Sequence, residues 1–350
     1  MKKTGIYIHI PFCKRKCFYC HFVKHRYNNT LLNKYMDALV KEIRLNSNPD
    51  YVIDSLYIGG GSPSLLNEHQ TSAVIDSVYR HFKIDKTLEC TIEANPEDLT
   101  GDKLRFYKEN RINRLSIGAQ SFVQKDLDYL QRTHSHNQSL KAVELALETG
   151  FSNINVDFII SLPTQTRKTL EDNFSILKNR DIPHISAYIL EGVEEGEGKD
   201  ARDNDLYFFT GETLRQMGYI HYEVSNFSKP GYRSGHNLKY WQNKSYIGIG
   251  LSASGYEDGL DYKNTANVKE YFEKIHENTL PRTEIKPTEP ALRRIVMGLR
   301  LLDGIPAVYF AGYKKEVEFL LANRLLIRKE DKIAVNPHKI LLLNEILTYF

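Results

Sequence analysis

Cys13-Lys14-Arg15-Lys16-Cys17-Phe18-Tyr19-Cys20 gathers three of the chain's four cysteines into eight residues. Thiolates are soft ligands that select iron–sulfur clusters, zinc or copper(I) over harder cations. A closed zinc site, or a self-contained iron–sulfur cluster, takes four protein ligands. Three cysteines with no partner cluster elsewhere leave one metal position open to a ligand that is not protein. The same stretch also permits a zinc knuckle completed by His9, His21 or His25, or a disulfide with a spare thiol.

Immediately upstream, Ile6, Ile8 and Ile10 alternate with Tyr7 and His9, the period of a strand that delivers the chain to the cysteines. Downstream, Asn29 can cap a helix whose apolar positions Leu32, Met36, Leu39, Val40 and Ile43 recur at helical spacing. Strands are then expected over Ile53–Ile58, Leu88–Glu93, Arg114–Ile117, Ile154–Ile160 and Ile185–Leu190, with helical stretches between them. Six strands alternating with helices predict a parallel α/β sheet built from right-handed crossovers. Each strand ends in glycine, proline or a polar cluster, so chemistry should collect on that face. Six units are too few for a closed eight-stranded barrel. An incomplete (β/α)6 TIM-like barrel fits, with a doubly wound open sheet as the alternative. Residues 192–205, acidic and glycine-rich, are expected as a mobile loop. From about Pro287, two amphipathic helices and two short strands around a charged turn predict a small C-terminal winged-helix-like appendage.

The chain's 350 residues can hold one large domain with an appendage, or two domains. Hydrophobic content of 41% and charged content of 26% are ordinary for a soluble globular protein. Four cysteines argue against a secreted disulfide framework and for a reducing compartment. No signal-type or membrane-spanning stretch is present, so a cytoplasmic protein is expected, with peripheral membrane contact left open. A net charge of +3 is too mild to imply nucleic acid, and the appendage carries no one-sided basic stripe.

The C-x3-C-x2-C spacing resembles the signature of the radical S-adenosylmethionine (SAM) family, and the resemblance extends over residues 5 to about 345. It is closest to the branch containing oxygen-independent coproporphyrinogen III oxidases and HemW-type haem chaperones. The resemblance implies a partial barrel and a 4Fe–4S cluster held by Cys13, Cys17 and Cys20, with SAM on the fourth iron. It implies SAM contacts from Tyr7, Gly60-Gly61-Ser62, Glu93, Gln120, Arg132 and Asp157. Arginine can grip the methionine carboxylate, and carboxylates can take ribose hydroxyls or the ammonium. Without the resemblance, these polar residues would read as solvated or structural.

Within that branch two functions of different class compete: a haem chaperone that delivers haem to an apoprotein, and an oxidase that decarboxylates porphyrinogen propionates. The oxidases typically carry a further cysteine after the Cys20 position and an extra leading segment. This chain has His21 there, which we expect to face solvent, and twelve residues before Cys13. The string His236-Asn237-x-x-Tyr240-Trp241 resembles the mark of the HemW-type chaperones, in which the histidine is proposed to help hold haem. The resemblance therefore favours the chaperone, with haem, a haem-accepting apoprotein and an electron donor as partners. The alternative is that these aromatics anchor the segment and His236 is hydrogen-bonded in place. The expected division is residues 1–225 as the barrel, 226–285 as the signature-bearing extension, and 286–350 as the appendage.

Overall fold

Six strand–helix units follow one another as the periodicity predicts. They are β1 (Lys2–Ile10), α1 (Asn29–Leu45), β2 (Tyr51–Gly60), α2 (Glu68–His81), β3 (Lys83–Ala94), α3 (Gly101–Glu109), β4 (Arg114–Gln120), α4 (Gln124–Tyr129), α5 (His136–Glu148), β5 (Ile154–Ile160), α6 (Arg167–Leu177) and β6 (His184–Ile189). The computed structural model describes residues 1–190 and 199–350. Local sequence sets the helix starts. Asn28, Asn67, Thr100, Ser135 and Thr166 each accept a first-turn backbone N–H, and three of these complete capping boxes. The α1 cap is thus Asn28, one residue before the Asn29 expected.

β1 to β6 pair in parallel in chain order. With right-handed crossovers, a sequential order sends every helix to the same face, whereas a doubly wound sheet reverses its order part-way. The structure is therefore singly wound, consistent with a partial TIM-like barrel.

The sheet continues past six strands on both sides. After α7 (Lys199–Gln216) come β7 (Ile220–Glu223), β8 (Asn226–Ser228), α8 (Gly235–Trp241), β9 (Tyr246–Ile249), β10 (Ser254–Glu257), β11 (Leu260–Asn264), α9 (Val268–His276) and β12 (Arg282–Pro287). β9 adds in parallel beside β1, followed outward by antiparallel β10, β11 and β12, while β8 and β7 extend the sheet beyond β6.

Strand alternation divides the sheet's two faces. Ile6, Ile8, Ile58, Ile92, Leu115, Ile117, Val156 and Ile185 are buried in the core. The other face is polar, with Gly5 opposite Ser55, Tyr7 opposite Tyr57, Glu93 opposite Ser116, and Asp157 opposite Ser186.

Half of the expected acidic loop, residues 192–198, lies outside the described residues. Its end does not: 199–205 form the first turns of α7, where Lys199 pairs with Asp203 at 2.5 Å. Ion pairs one helical turn apart support a helix that composition alone reads as coil.

The C-terminal region has α10 (Pro290–Gly298), α11 (Lys314–Ala322), a β13 (Leu326–Lys329) and β14 (Lys332–Val335) hairpin, and α12 (Leu343–Leu347). Its lead-in joins the sheet edge: Val224 N donates to Arg300 O, and Leu302 N to Tyr222 O, both at 3.2 Å. No helix among the described residues is long and apolar enough to cross a membrane.

Candidate cluster and cofactor site

β1 carries the chain out of the sheet at Ile10 and into the cysteine loop. Phe12–Cys13 pairs with His25–Arg26 and closes that loop. Lys24 Nζ donates to the carbonyls of Cys17 (3.0 Å) and Cys20 (2.6 Å) from within. All four cysteines are free thiols. Cys13 is buried, and desolvation pushes its thiol up while a hydrogen bond with Ser62 opposes the shift. Cys17 and Cys20 are half-buried.

His9, a candidate zinc ligand, is committed elsewhere. Its Nδ1 lies 2.9 Å from Tyr7 Oη and its Nε2 3.1 Å from the Val23 carbonyl. Among the described residues no three His, Cys, Asp or Glu side chains are drawn together around one metal ion. His21 is exposed, as expected.

The glycines after β2 serve a close approach between two backbones. Gly60 has φ +113°, where side chains are strained. A Cβ on Gly61 would sit 2.7 Å from Phe12 O and 2.8 Å from Ile10 O. Gly61 N and Ser62 N instead donate to those two carbonyls, each at 2.8 Å, so the turn clamps the entry to the cysteine loop.

Around this clamp the strand ends bring polar groups together. Glu93 accepts from Gly60 N and Tyr57 Oη, each at 2.9 Å, and desolvation pushes its carboxyl up to about 7. Arg132 donates to Asn95 Oδ1 (2.7 Å) and Gly118 O (3.3 Å), and reaches Tyr19 Oη (3.4 Å) and Cys17 Sγ (3.7 Å). Its Nε is buried without a partner. Asp157 accepts from Ser116 (3.0 Å) and Asn155 (2.8 Å), with its carboxyl raised chiefly by desolvation. Gln120, at the end of β4, has φ +65°, a left-handed backbone costing about 1–3 kcal/mol for a non-glycine residue. Such outliers cluster at functional sites.

His236 borders this group: its ring centroid lies 6.4 Å from that of Tyr7 and 5.2 Å from that of Tyr57, which donates to Glu93. α8 packs at the level of Gly5 and Ser55, about five residues below Ile10 and Gly60 and so about 16 Å along the strands. His236 is 0% exposed. Its Nδ1 is 2.9 Å from Ser55 Oγ, its Nε2 2.8 Å from Tyr240 Oη, and its ring stacks on Tyr57 at 5.2 Å. Burial is the main cause lowering its pKa to about 3, so the ring is neutral. Both Glu89 carboxylate oxygens accept α8 backbone N–H groups at 2.9 Å, and Lys239 pairs with Asp54 at 2.6 Å. Trp241 lies under the Arg300 guanidinium, 5.3 Å from its ring centroid. The signature thus closes the lower end of the barrel and fastens the C-terminal region to it.

Residues 7–177 match the Radical SAM superfamily model. The chain is 33% identical to heme chaperone HemW of Bacillus subtilis, over 98% of each chain. It is 31% identical to heme chaperone HemW of Lactococcus lactis, over 95% of this chain and 93% of that one. The chain belongs to the HemW family of radical SAM proteins. Its fold matches that of the Escherichia coli radical SAM enzyme coproporphyrinogen III oxidase (HemN), with a TM-score of 0.83 at 21% identity, covering 99% of this chain and 89% of that one.

Radical SAM membership implies a 4Fe–4S cluster and SAM, and the residues present fit both. Three free thiols share one loop, and a cuboidal cluster takes its thiolates at separate corners rather than around one ion. The unpaired Arg132 Nε beside them is a donor awaiting an acceptor. Three further HemW-chain residues shape the site and escaped the sequence reading. Asn95 joins Arg132 to Ser62, Tyr57 joins Glu93 to the His236 ring, and Lys24 fixes the loop carbonyls. Glu89 was signalled only by its even spacing from Glu93 on the same strand face.

Proposed function

We propose that this chain is a haem chaperone that holds a 4Fe–4S cluster on Cys13, Cys17 and Cys20, binds SAM, takes up haem and passes it to an acceptor apoprotein. The near full-length similarity to proteins named heme chaperone HemW carries this reading. SAM is received at the strand ends by Tyr7, Gly60, Gly61, Ser62, Glu93, Gln120, Arg132 and Asp157. Arg132 takes its carboxylate and Glu93 its ammonium. When bound, the cluster and SAM supply one-electron chemistry that no side chain here can perform. Residues 1–225 serve the cluster and SAM, 226–285 carry the haem-linked signature, and 286–350 form an accessory unit. His236 offers a neutral imidazole to haem iron only after it leaves Ser55 and Tyr240. The fold shared with the oxidase does not choose between the two functions. His21 in place of a further cysteine, and the His236-Asn-x-x-Tyr-Trp241 string, favour the chaperone.

The test is anaerobically reconstituted protein assayed for haem and for turnover together. We expect about one haem per chain with an axial-ligand Soret band, and no decarboxylation of coproporphyrinogen III with SAM and a reductant. Robust turnover overturns the chaperone function, and absence of both activities defeats both candidates. In His236→Ala, a weakened or shifted Soret band supports ligation. An unchanged band leaves His236 as the barrel-closing residue the geometry describes.

A further inference from the structure

We propose that the lower bore of the barrel is a binding site for a carboxylate, held by the guanidinium of Arg114. Arg114 opens β4, opposite Thr91 of β3. Leu115 and Ile117 on the same strand are buried in the core, so strand alternation turns Arg114 to the polar inner face. It lies two residues below Ser116, which stands opposite Glu93. Arg114 is 1% exposed, and its Nε is buried without a partner. Among the described residues no hydrogen bond or ion pair reaches the guanidinium.

A buried charge with no counter-charge is costly, so a fold either pairs it or keeps it for a ligand. The neighbours of Arg114 do not pair it. His184 Nδ1 lies 2.6 Å from Asn155 Oδ1 and its Nε2 2.9 Å from Tyr222 Oη. Both floor histidines are neutral, since burial pulls His184 well below its ordinary value and His236 to about 3. Glu93 accepts from Gly60 and Tyr57, and Asp157 from Ser116 and Asn155; burial raises both carboxyls. Both feel the Arg114 charge, yet neither comes within ion-pair distance of it. Arg114 is left as a bare cation at the floor of the bore.

The surroundings select the anion. A flat guanidinium fork matches a carboxylate in bidentate contact. Glu93 and Asp157 above it disfavour a dianionic phosphate, so one negative charge fits one guanidinium. Tyr188 marks the way in. It shares the inner face with His184 and Ser186, because Ile185 and Ala187 are in the core, and it is 42% exposed. An aromatic left open to water inside a barrel offers a wall to a flat, apolar body. The bore stays open down to Glu93 and Asp157, both half-buried, just above Arg114. Below them Ser55, Asn155 and Ser186 are each 2% exposed, so only the acid end of a ligand reaches the floor. The ligand is thus a carboxylate on a flat apolar stem. It is separate from SAM, whose carboxylate goes to Arg132 at the strand ends, and the site requires neither haem nor the cluster.

The probe is 3-phenylpropionate, with its amide as the uncharged match and chloride and inorganic phosphate as competing anions. Each is titrated against the full chain in saturating SAM, read by melting temperature. We expect a saturable rise with 3-phenylpropionate alone. Arg114→Met should raise the probe's Kd about tenfold or more. Without ligand that variant should melt no lower than wild type, because an apolar side chain of similar volume relieves an unpaired charge. A large fall would show Arg114 to be paired within the fold, and overturns the proposal. So does wild-type affinity in the variant. Two outcomes in the wild type alone also overturn it: no rise with the probe, or an equal rise with the amide, chloride or phosphate. Haem and its dimethyl ester then identify the source. Displacement of the probe by haem alone assigns the carboxylate to a haem propionate, and displacement by neither assigns it to a separate molecule. If no haem binds at all, the chaperone reading fails while the probe titration stands.

Discussion

Arg132 spreads its guanidinium over Cys17, Tyr19, Asn95 and Gly118, yet keeps Nε unpaired beside the thiols. Losing a charged hydrogen bond costs about 1.5–3 kcal/mol, so Arg132→Ala should raise the SAM Kd roughly ten- to a hundredfold. Iron content should be unchanged, and SAM titration of the cluster's absorbance reads both. Wild-type affinity would remove Arg132 from the site. Glu93 adds a pH dependence, because desolvation lifts its carboxyl from 4.5 to about 7. Below that value it is neutral and offers no charge to an ammonium; above it, the carboxylate does. SAM should therefore bind more tightly at pH 8 than at pH 6, and Glu93→Gln should flatten the difference. An equally steep profile in the variant would assign the titration to another group.

Among the elements, the β2 turn and the β1 exit form one unit. Gly61 has no room for a side chain, since a Cβ would press on the Ile10 and Phe12 carbonyls. Gly61→Ala should displace the cysteine loop and lower iron content more than it lowers helix content, with a stability loss of about 1–3 kcal/mol. Iron and sulfide analysis beside circular dichroism separates the two, and full cluster loading would show that the clamp yields. α8 is the second such unit: a seven-residue helix too short to persist alone, held by Glu89, by Asp54 and Ser55, and by Arg300 from three other segments.

For the molecule as a whole, Glu42 couples the barrel to its extension. From α1 it accepts from Gly250 N (2.9 Å), Asn264 (2.8 Å) and Tyr271 Oη (2.6 Å), and burial pushes its carboxyl from 4.5 up to about 7. A folded-state value above the unfolded one gives stability that is complete below about pH 4.5 and lost as pH rises through about 7. Melting temperature should therefore fall between pH 5 and pH 8, with up to about 3 kcal/mol of the change due to this group. Glu42→Gln should flatten that slope. An unchanged slope would trace it to other buried carboxyls, such as Glu223, which burial also raises to about 7.

The six βα units and the cysteine loop were legible in the sequence, because period and ligand spacing are local properties, whereas the one N-cap read there, Asn29, falls one residue past the true cap, Asn28. β5 even begins and ends at the residues its apolar run predicts. The seventh parallel strand was not legible. β9 lies far along the chain from β1, and its short run Tyr246–Ile249 carries no mark of the strand it joins. Nor could local pattern tell the polar residues apart. Glu93, Arg132 and Asp157 look like any strand-end charges until register brings their neighbours beside them. His236 sits in a ligand-like string but is folded in against Ser55 and Tyr240. The sequence by itself determined which elements form and which thiols share a loop. Tertiary structure alone decided which polar atoms are consumed by partners and which, like Arg132 Nε, are left unpaired, because that depends on contacts between residues far apart in the chain.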